Sequence, residues 1–409
     1  MVHLTGSQNS ALEAEITRVQ SATRQMLNAY VAWGGQIKQG EVFLDVYHEV
    51  VDFVNFRMET AESCMTLIGS GKVGDALGLS RSLLENSLLM MLICRGPKYF
   101  QLQHLTSKTA EEFQTALDER MKIWLDQKNM GTTTCIDVRS YPRAARHIMY
   151  VFPGIMDSNG ELLPVSAHYF HFQEFRPETM RLDPRNYFEY YEPDAELNKA
   201  LKVHRKDATF RYRHFLSYDA LLECLHLNNL IDEAAQARIE AHYTFLGKYL
   251  HPTNDAMRDL HDRPNVHDGK PSIGMNGNYS GTSRLLASLY VCYLVAGVLH
   301  ELCFLFEAAK PMYIREAGTQ ELRKFVESVP RSFPYFWLIF NEAPLHDRFN
   351  WAVNHATNEQ LKEFGGYAGV PSELIPFDQH IYSNLQNGLR GWSNTRVGSY
   401  QSPIEKQIS

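Results

Sequence analysis

Residues 67–76 read LIGSGKVGDA, and this stretch decides between two folds. A Gly-Ser-Gly-Lys run could belong to a phosphate-binding loop, which requires a preceding strand, a Gly five residues before the Gly-Lys pair, and Ser or Thr after the Lys. Here Thr66 occupies the upstream position, Val73 follows the Lys, and a helical pattern precedes the turn. We therefore predict the turn of a helical hairpin, with Gly69 or Gly71 in a left-handed conformation.

Periodic apolar residues flank this turn on both sides. Residues 41–68 repeat apolar side chains at spacings of three and four, and residues 73–95 are apolar nearly all round, which is typical of a buried helix. Helical periodicity also covers residues 11–32, 105–127, 196–229, 231–250, 281–309 and 318–328. The sequence therefore predicts an all-α fold, a helical bundle that includes an antiparallel hairpin over residues 41–95.

Four regions are expected along the 409 residues. One region is irregular and rich in aromatic residues, with eight Tyr and Phe between positions 169 and 191, so we expect an ordered insertion and not a disordered linker. The predicted boundaries are N-terminal helices at 1–127, the aromatic-rich irregular insertion at 128–195, helices that complete the bundle at 196–310, and a wrapping C-terminal segment and tail at 311–409.

Composition and charge narrow the class of protein. The chain is 44% hydrophobic and 21% charged, as globular proteins are, and its net charge of −7 argues against a surface that coats nucleic acid. Its six cysteines include no CxxC pair, and its N-terminus has no basic region before an apolar run, so we predict a cytoplasmic protein. Residues 285–299 carry no charge but fall short of the roughly 20 residues of a membrane span. We expect a buried helix there and no membrane partner.

Charge is rare inside the helix predicted at residues 73–95. Between positions 76 and 94 only Arg81 and Glu85 are charged, and their spacing of four places them on one helical face. Because an isolated buried charge costs on the order of several kcal/mol, the two side chains are expected to pair with each other or with a third group. Two interpretations stay open: a structural ion pair that sets helix register, or part of a site between helices.

A second group of polar residues surrounds the end of the helix predicted at 231–250. Tyr243, Gly247 and His251 fall along one helical face, and Pro252 ends the helix. A histidine at a helix C-terminus is stabilised by the helix dipole and can cap the last carbonyls, which explains His251 without a functional role.

The loop after this helix is a candidate metal site. It contains His261, Asp262, His267 and Asp268 within eight residues, and imidazoles with carboxylates can bind a divalent metal. His261 and His267 are the candidate ligands. Their spacing matches no ligand motif, and a hydrated polar loop accounts for the same residues.

The two polar groups carry a resemblance to a known family. SRSLLENSLLMMLI, at 80–93, resembles the Arg-x-x-x-Glu helix of a diverse set of uncharacterised bacterial helical proteins. YTFLGKYLHPT, at 243–253, resembles their Tyr-x-x-Leu-(Ser/Gly)-x-x-x-His-(Pro/Gly) segment. Those proteins are similar to the HEPN (higher eukaryotes and prokaryotes nucleotide-binding) superfamily of helical bundles. The resemblance covers about residues 40–100 and 215–255.

The resemblance implies a HEPN-like core with one interhelical site. Four residues would line that site: Arg81, Glu85, Tyr243 and His251. HEPN ribonucleases use an Arg followed after four to six residues by a His, with His as the acid or base and Arg holding phosphate. The match to this pattern, Arg348 to His355, lies outside the resembling segments, so ribonuclease activity does not follow from it.

Three functions stay open at this point. The favoured one is a non-catalytic nucleotide-, RNA- or protein-binding module, because no complete catalytic constellation is present. The second is a metal-independent RNase-type toxin or phage-defence effector, in which Arg81 neutralises phosphate and His251 takes a proton from a 2′-hydroxyl. The third is a metal-dependent hydrolase built on His261 and His267. No cofactor is predicted, the expected partners are RNA, a nucleotide or a protein, and a homodimer is compatible with the sequence.

Overall fold

The structure is a computed structural model, and the chain forms two compact units. The first contains residues 1–44, 54–87 and 232–409, and the second contains residues 45–53 and 88–231. The residues that the structure describes are 6–37, 45–95, 101–102, 148–156, 162–167, 174–176, 181–183, 218–227, 229–251, 256, 260, 279–307, 318–338, 342–377 and 380–395.

Helices account for most of the described residues and confirm the predicted all-α class. The helices up to residue 331 are α1 (Gly6–Ile37), α2 (Asp45–Gly69), α3 (Val73–Arg95), α4 (Tyr218–Leu227), α5 (Glu233–Leu250), α6 (Gly281–Glu307) and α7 (Thr319–Arg331). The helices predicted from periodicity at 11–32, 231–250, 281–309 and 318–328 correspond to α1, α5, α6 and α7. Those predicted at 105–127 and over 196–217 lie outside the described residues.

The turn between α2 and α3 is a Schellman cap. Gly71 has φ +73°, the Lys72 N–H donates to the Leu67 carbonyl at 2.7 Å, and the Gly71 N–H donates to the Ile68 carbonyl at 3.0 Å. Both amides therefore satisfy the end of their own helix and are not directed toward a phosphate. The Lys72 side chain is exposed, as the hairpin prediction required.

Contacts across the hairpin show that α2 and α3 run antiparallel. Arg57 Nη1 donates to Ser82 Oγ at 3.3 Å, and Cys64 is hydrogen-bonded to Ser80. The residue nearer the turn on α2, Cys64, pairs with the residue nearer the turn on α3, Ser80, which is the order of an antiparallel pair. The predicted hairpin is confirmed.

The core of the first unit is built around α6. Residues 285–299 are all buried, which confirms the buried helix predicted for them. A helix that is apolar on all sides needs neighbours on all sides, and both α1 and α7 pack against it. Within the described part of the chain, α6 is the one helix long and apolar enough to span a membrane, and 89% of its most apolar window is buried inside the protein.

Polar side chains tie the elements of this core together. The Tyr293 hydroxyl donates to the carbonyls of Pro330 and Phe333, at 3.0 and 2.6 Å, and so joins α6 to the end of α7. The Tyr335 hydroxyl donates to the buried carboxylate of Glu15 on α1 at 2.5 Å. These bonds place residues 333–337 against the centre of the unit, where they help form a pocket described below.

The C-terminal segment contains more helix than the sequence indicated. It includes α8 (Leu345–His355), α9 (Asn358–Glu363) and α10 (Ile381–Thr395). Thr357 and Gln360 form a capping box that starts α9. A small apolar cluster buries the inner faces of this region, and its members are Trp337, Ala343, Ala352, Val370 and Ile375. The short helices are stabilised by this cluster, which a periodicity argument does not detect.

Short strands lie in the second unit. A three-stranded sheet has the order β1 (Gln101–Leu102), β2 (Ile148–Met156), β3 (Leu162–Ala167), with β1 parallel and β3 antiparallel to β2. A second, two-stranded antiparallel sheet pairs β4 (Glu174–Arg176) with β5 (Arg181–Asp183). Four of these strands fall in the region predicted as an aromatic-rich irregular insertion, where β-branched and aromatic residues favour strands.

Candidate binding site between α3 and α5

Arg81 of α3 is held by Tyr243 of α5. The guanidinium lies over the Tyr243 ring, with Cζ 4.0 Å from the ring centroid, and Nη2 donates a hydrogen bond to the Tyr243 hydroxyl. A cation over an aromatic face is stabilised by the ring quadrupole. The sequence left open whether Arg81 pairs with Glu85 or with a third group, and Tyr243 on another helix is such a third group.

Glu85 also contacts Arg81 and is the more exposed side chain of the two. Arg81 Nε donates to Glu85 Oε1 at 3.4 Å, and the two side chains are 19% and 41% exposed. The expected pairing is thus present, but the pair is only partly buried. A long, partly hydrated ion pair of this kind contributes little to stability.

The Tyr243 hydroxyl lies between the two charges. It accepts a hydrogen bond from Arg81 and donates one to Glu85. Burial raises the pKa of Tyr243, the negative charge of Glu85 raises it further, and Arg81 lowers it. Tyr243 therefore keeps its proton at neutral pH and serves as a hydrogen-bonding and stacking group.

Two glycines allow α3 and α5 to approach closely. A Cβ on Gly247 would lie 3.0 Å from Arg81 Nη1, and a Cβ on Gly78 would lie 3.3 Å from a methyl carbon of Leu250. The sequence placed Gly247 on the face of Tyr243 but gave it no role. A glycine inside a helix costs about 1 kcal/mol relative to alanine, and a helical glycine beside Tyr243 is the sequence signal of a close approach by another element.

His251 stands apart from this cluster in its contacts. It is the C-cap residue of α5, its backbone N–H donates to the Gly247 carbonyl at 3.2 Å, and its side chain is exposed. The structure therefore brings together Arg81, Glu85 and Tyr243. It places His251 one helical turn beyond Gly247 without a contact from its ring to those three.

The candidate metal ligands His261 and His267 lie outside the described residues. Among the residues that are described, no group of three or more His, Cys, Asp or Glu side chains is arranged to hold a metal ion.

Arg348 and His355, which match the spacing of the ribonuclease pattern, differ in their burial. Arg348 is buried and donates to the carbonyls of Ala343 and Ala368 and to the carboxylate of Glu342. His355 is the exposed last residue of α8. The Arg348 guanidinium thus organises the chain around α8.

No protein-family model, no curated protein and no solved structure matches the chain. Among the residues that the structure describes, Arg81, Tyr243 and Glu85 form a polar cluster between two helices.

Proposed function

We propose that the protein is a non-catalytic, HEPN-like helical module that binds a phosphate-bearing ligand, a nucleotide or RNA, at the cluster of Arg81, Tyr243 and Glu85. The observation that carries the proposal is the state of the Arg81 guanidinium. It is oriented by a ring and a hydroxyl, it is partly exposed, and its Nη1 makes no hydrogen bond to any other described residue.

An oriented, partly exposed guanidinium of this kind is suited to binding a phosphate group. The planar guanidinium presents paired N–H donors that match two phosphate oxygens, and an orientation held by Tyr243 reduces the entropy lost on binding. The negative charge of Glu85 repels an incoming phosphate. Because its bond to Arg81 is long and its carboxylate is 41% exposed, an incoming phosphate can displace it at small cost.

Arg81 and Tyr243 are not suited to take a proton from a substrate at neutral pH. A guanidinium offers hydrogen-bond donors only and does not act as a base, and burial raises the pKa of Tyr243, which keeps its proton at neutral pH. Neither side chain can then take a proton from a 2′-hydroxyl at neutral pH. His251 is the group on which the ribonuclease alternative depends.

Fluorescence anisotropy with a short labelled single-stranded oligoribonucleotide, in competition with ATP, tests the proposal. Arg81→Gln should weaken binding by about tenfold or more, a loss of about 1.4 kcal/mol, and Arg81→Lys should restore only part of it. Arg24→Gln is the matched control, since Arg24 is an exposed arginine that pairs with Glu62 at 3.0 Å. Equal binding by wild type and Arg81→Gln would contradict the proposal.

The same samples separate binding from catalysis. We expect the oligoribonucleotide to remain intact on a denaturing gel after prolonged incubation. Cleavage by wild type that disappears in His251→Ala would support the ribonuclease alternative and overturn the non-catalytic proposal.

A further inference from the structure

A small pocket of the first unit lies beside α5, α8 and α10. Its cavity volume is about 20 Å³, which is room for one water-sized group. Aromatic rings form much of its lining and two polar side chains join them: Tyr335, Phe336, Trp337, Phe377, Asp347 and Asn384. An aromatic lining with a carboxylate is unusual for a space of this size.

Asp347 contributes the carboxyl group in the lining of this pocket. Asp347 lies in the first turn of α8, and its carboxylate makes no hydrogen bond or ion pair with another described residue. Burial raises its pKa, and the only charge that opposes this rise is that of the neighbouring His346. The side chain is only half-buried, so water reaches its carboxylate, and a cation in the pocket would supply the partner that no other described residue provides.

The basic side chains nearby are engaged elsewhere. His242 lines the pocket, but its Nδ1 accepts from the Tyr290 hydroxyl at 2.7 Å and its Nε2 donates to the Trp337 carbonyl at 2.9 Å. Full burial lowers the pKa of His242 to about 3, so the ring is neutral. Arg348, the residue after Asp347, donates to Glu342 and to backbone carbonyls.

Arg238 is the remaining nearby cation. Its guanidinium lies over the Trp337 ring, with Cζ 4.2 Å from the ring centroid, and the acidic groups that act on it are Asp232 and Glu373. It therefore does not neutralise Asp347. It does show that Trp337 already binds a cation on its face.

We propose that this pocket binds a primary ammonium group, with Asp347 as its counter-ion and the aromatic rings as its walls. A carboxylate attracts the charge, the rings stabilise it through their quadrupoles, and the volume of one water matches an –NH₃⁺ head while excluding a quaternary ammonium. The group can come from a small alkylamine or from a lysine side chain of another polypeptide. This site is separate from the Arg81 cluster and does not depend on the function proposed for it.

Saturation-transfer NMR on the wild-type protein provides the test. n-Butylammonium should bind, whereas 1-butanol and tetramethylammonium, which lack the charge and the small head respectively, should bind at least about tenfold more weakly. N-acetyl-lysine amide distinguishes the two sources: binding at least as tight as that of n-butylammonium indicates a lysine side chain, and weaker binding indicates a free amine.

Two variants complete the experiment. Asp347→Asn keeps the shape and removes the charge, so it should weaken n-butylammonium binding by about tenfold or more. Glu363→Gln, a change at an exposed carboxylate on α9, should leave binding unchanged. Equal affinity for n-butylammonium and 1-butanol, or no binding of either because the cavity holds only water, would overturn the proposal without reference to any variant. So would unchanged binding in a folded Asp347→Asn protein.

Discussion

Removal of the Arg81 side chain gives a direct measure of how the contact between α3 and α5 is stabilised. Arg81→Ala deletes a hydrogen bond to Tyr243, worth about 1 kcal/mol, and a cation–π contact, worth about 0.5–1 kcal/mol. It also deletes a partly exposed ion pair with Glu85, worth about 0–1 kcal/mol. We therefore expect a loss of about 2 kcal/mol in the free energy of unfolding.

This magnitude differs from that of a buried ion pair. Removal of one partner of a fully buried pair costs about 3–5 kcal/mol, because a charge is left without a partner or water. Glu85 is 41% exposed, so water can hydrate its carboxylate when Arg81 is absent. The double change Arg81→Ala/Glu85→Ala also removes the hydrogen bond from Tyr243 to Glu85, so it should cost about 1 kcal/mol more than Arg81→Ala.

Urea unfolding with linear extrapolation measures these changes in the free energy of unfolding. The variant Tyr243→Phe separates the hydrogen-bond contribution from the cation–π contribution. Tyr243→Phe keeps the ring but removes the hydroxyl and its hydrogen bonds with Arg81 and Glu85, so it should cost about 1–2 kcal/mol. Its coupling with Arg81→Ala in a double-mutant cycle should be about 1 kcal/mol. Arg24→Ala, a change in an exposed ion pair, serves as the control and should cost well under 1 kcal/mol. A loss of 3–5 kcal/mol for Arg81→Ala, or a coupling of zero with Tyr243→Phe, would refute the reasoning.

Three further changes test other parts of the structure. His242 has a pKa of about 3 in the fold and 6.5 when exposed, so the unfolded chain takes up the proton first as pH falls. Its share of stability is lost below pH 6.5 at about 1.4 kcal/mol per pH unit. Urea unfolding should show that wild type loses about 2 kcal/mol more than His242→Gln between pH 6.5 and 5, and equal losses would contradict a neutral buried ring. Gly247→Ala should leave the melting temperature unchanged or slightly raised, because its Cβ meets only the flexible end of Arg81 at 3.0 Å, while phosphate-ligand binding in the anisotropy assay should fall. Gly388→Ala should destabilise by about 2 kcal/mol or more, because its Cβ would lie 2.2 Å from the backbone oxygen of Tyr335, and a wild-type melting temperature would contradict that contact.

The hairpin and the central helix follow from local sequence. A glycine that must adopt a positive φ ends α2 at the predicted turn, and that requirement is a property of two or three neighbouring residues. Residues 285–299 carry no charge, so within a folded helical bundle this helix is expected at the centre. Neither inference needs knowledge of what packs against what.

Other elements depend on contacts between residues distant in sequence. The helices α8, α9 and α10 are short and separated by Pro and Gly residues, so their periodicity is weak. They are stabilised by apolar contacts among Trp337, Ala352 and Val370, which come from separate segments. Propensity within one segment cannot reveal such a cluster.

For the candidate sites, the sequence determined which residues are anomalous, and the tertiary structure decided what surrounds them. Spacing placed Arg81 beside Glu85, since a helix brings residues four apart together. Only the packing of α5 against α3 set Tyr243 under the guanidinium and left Glu85 in water, because burial depends on the neighbouring element. Asp347 had no distinguishing local pattern at all. The role proposed for it depends on aromatic residues from other parts of the chain that line the same pocket, and proximity of that kind exists only in the folded protein.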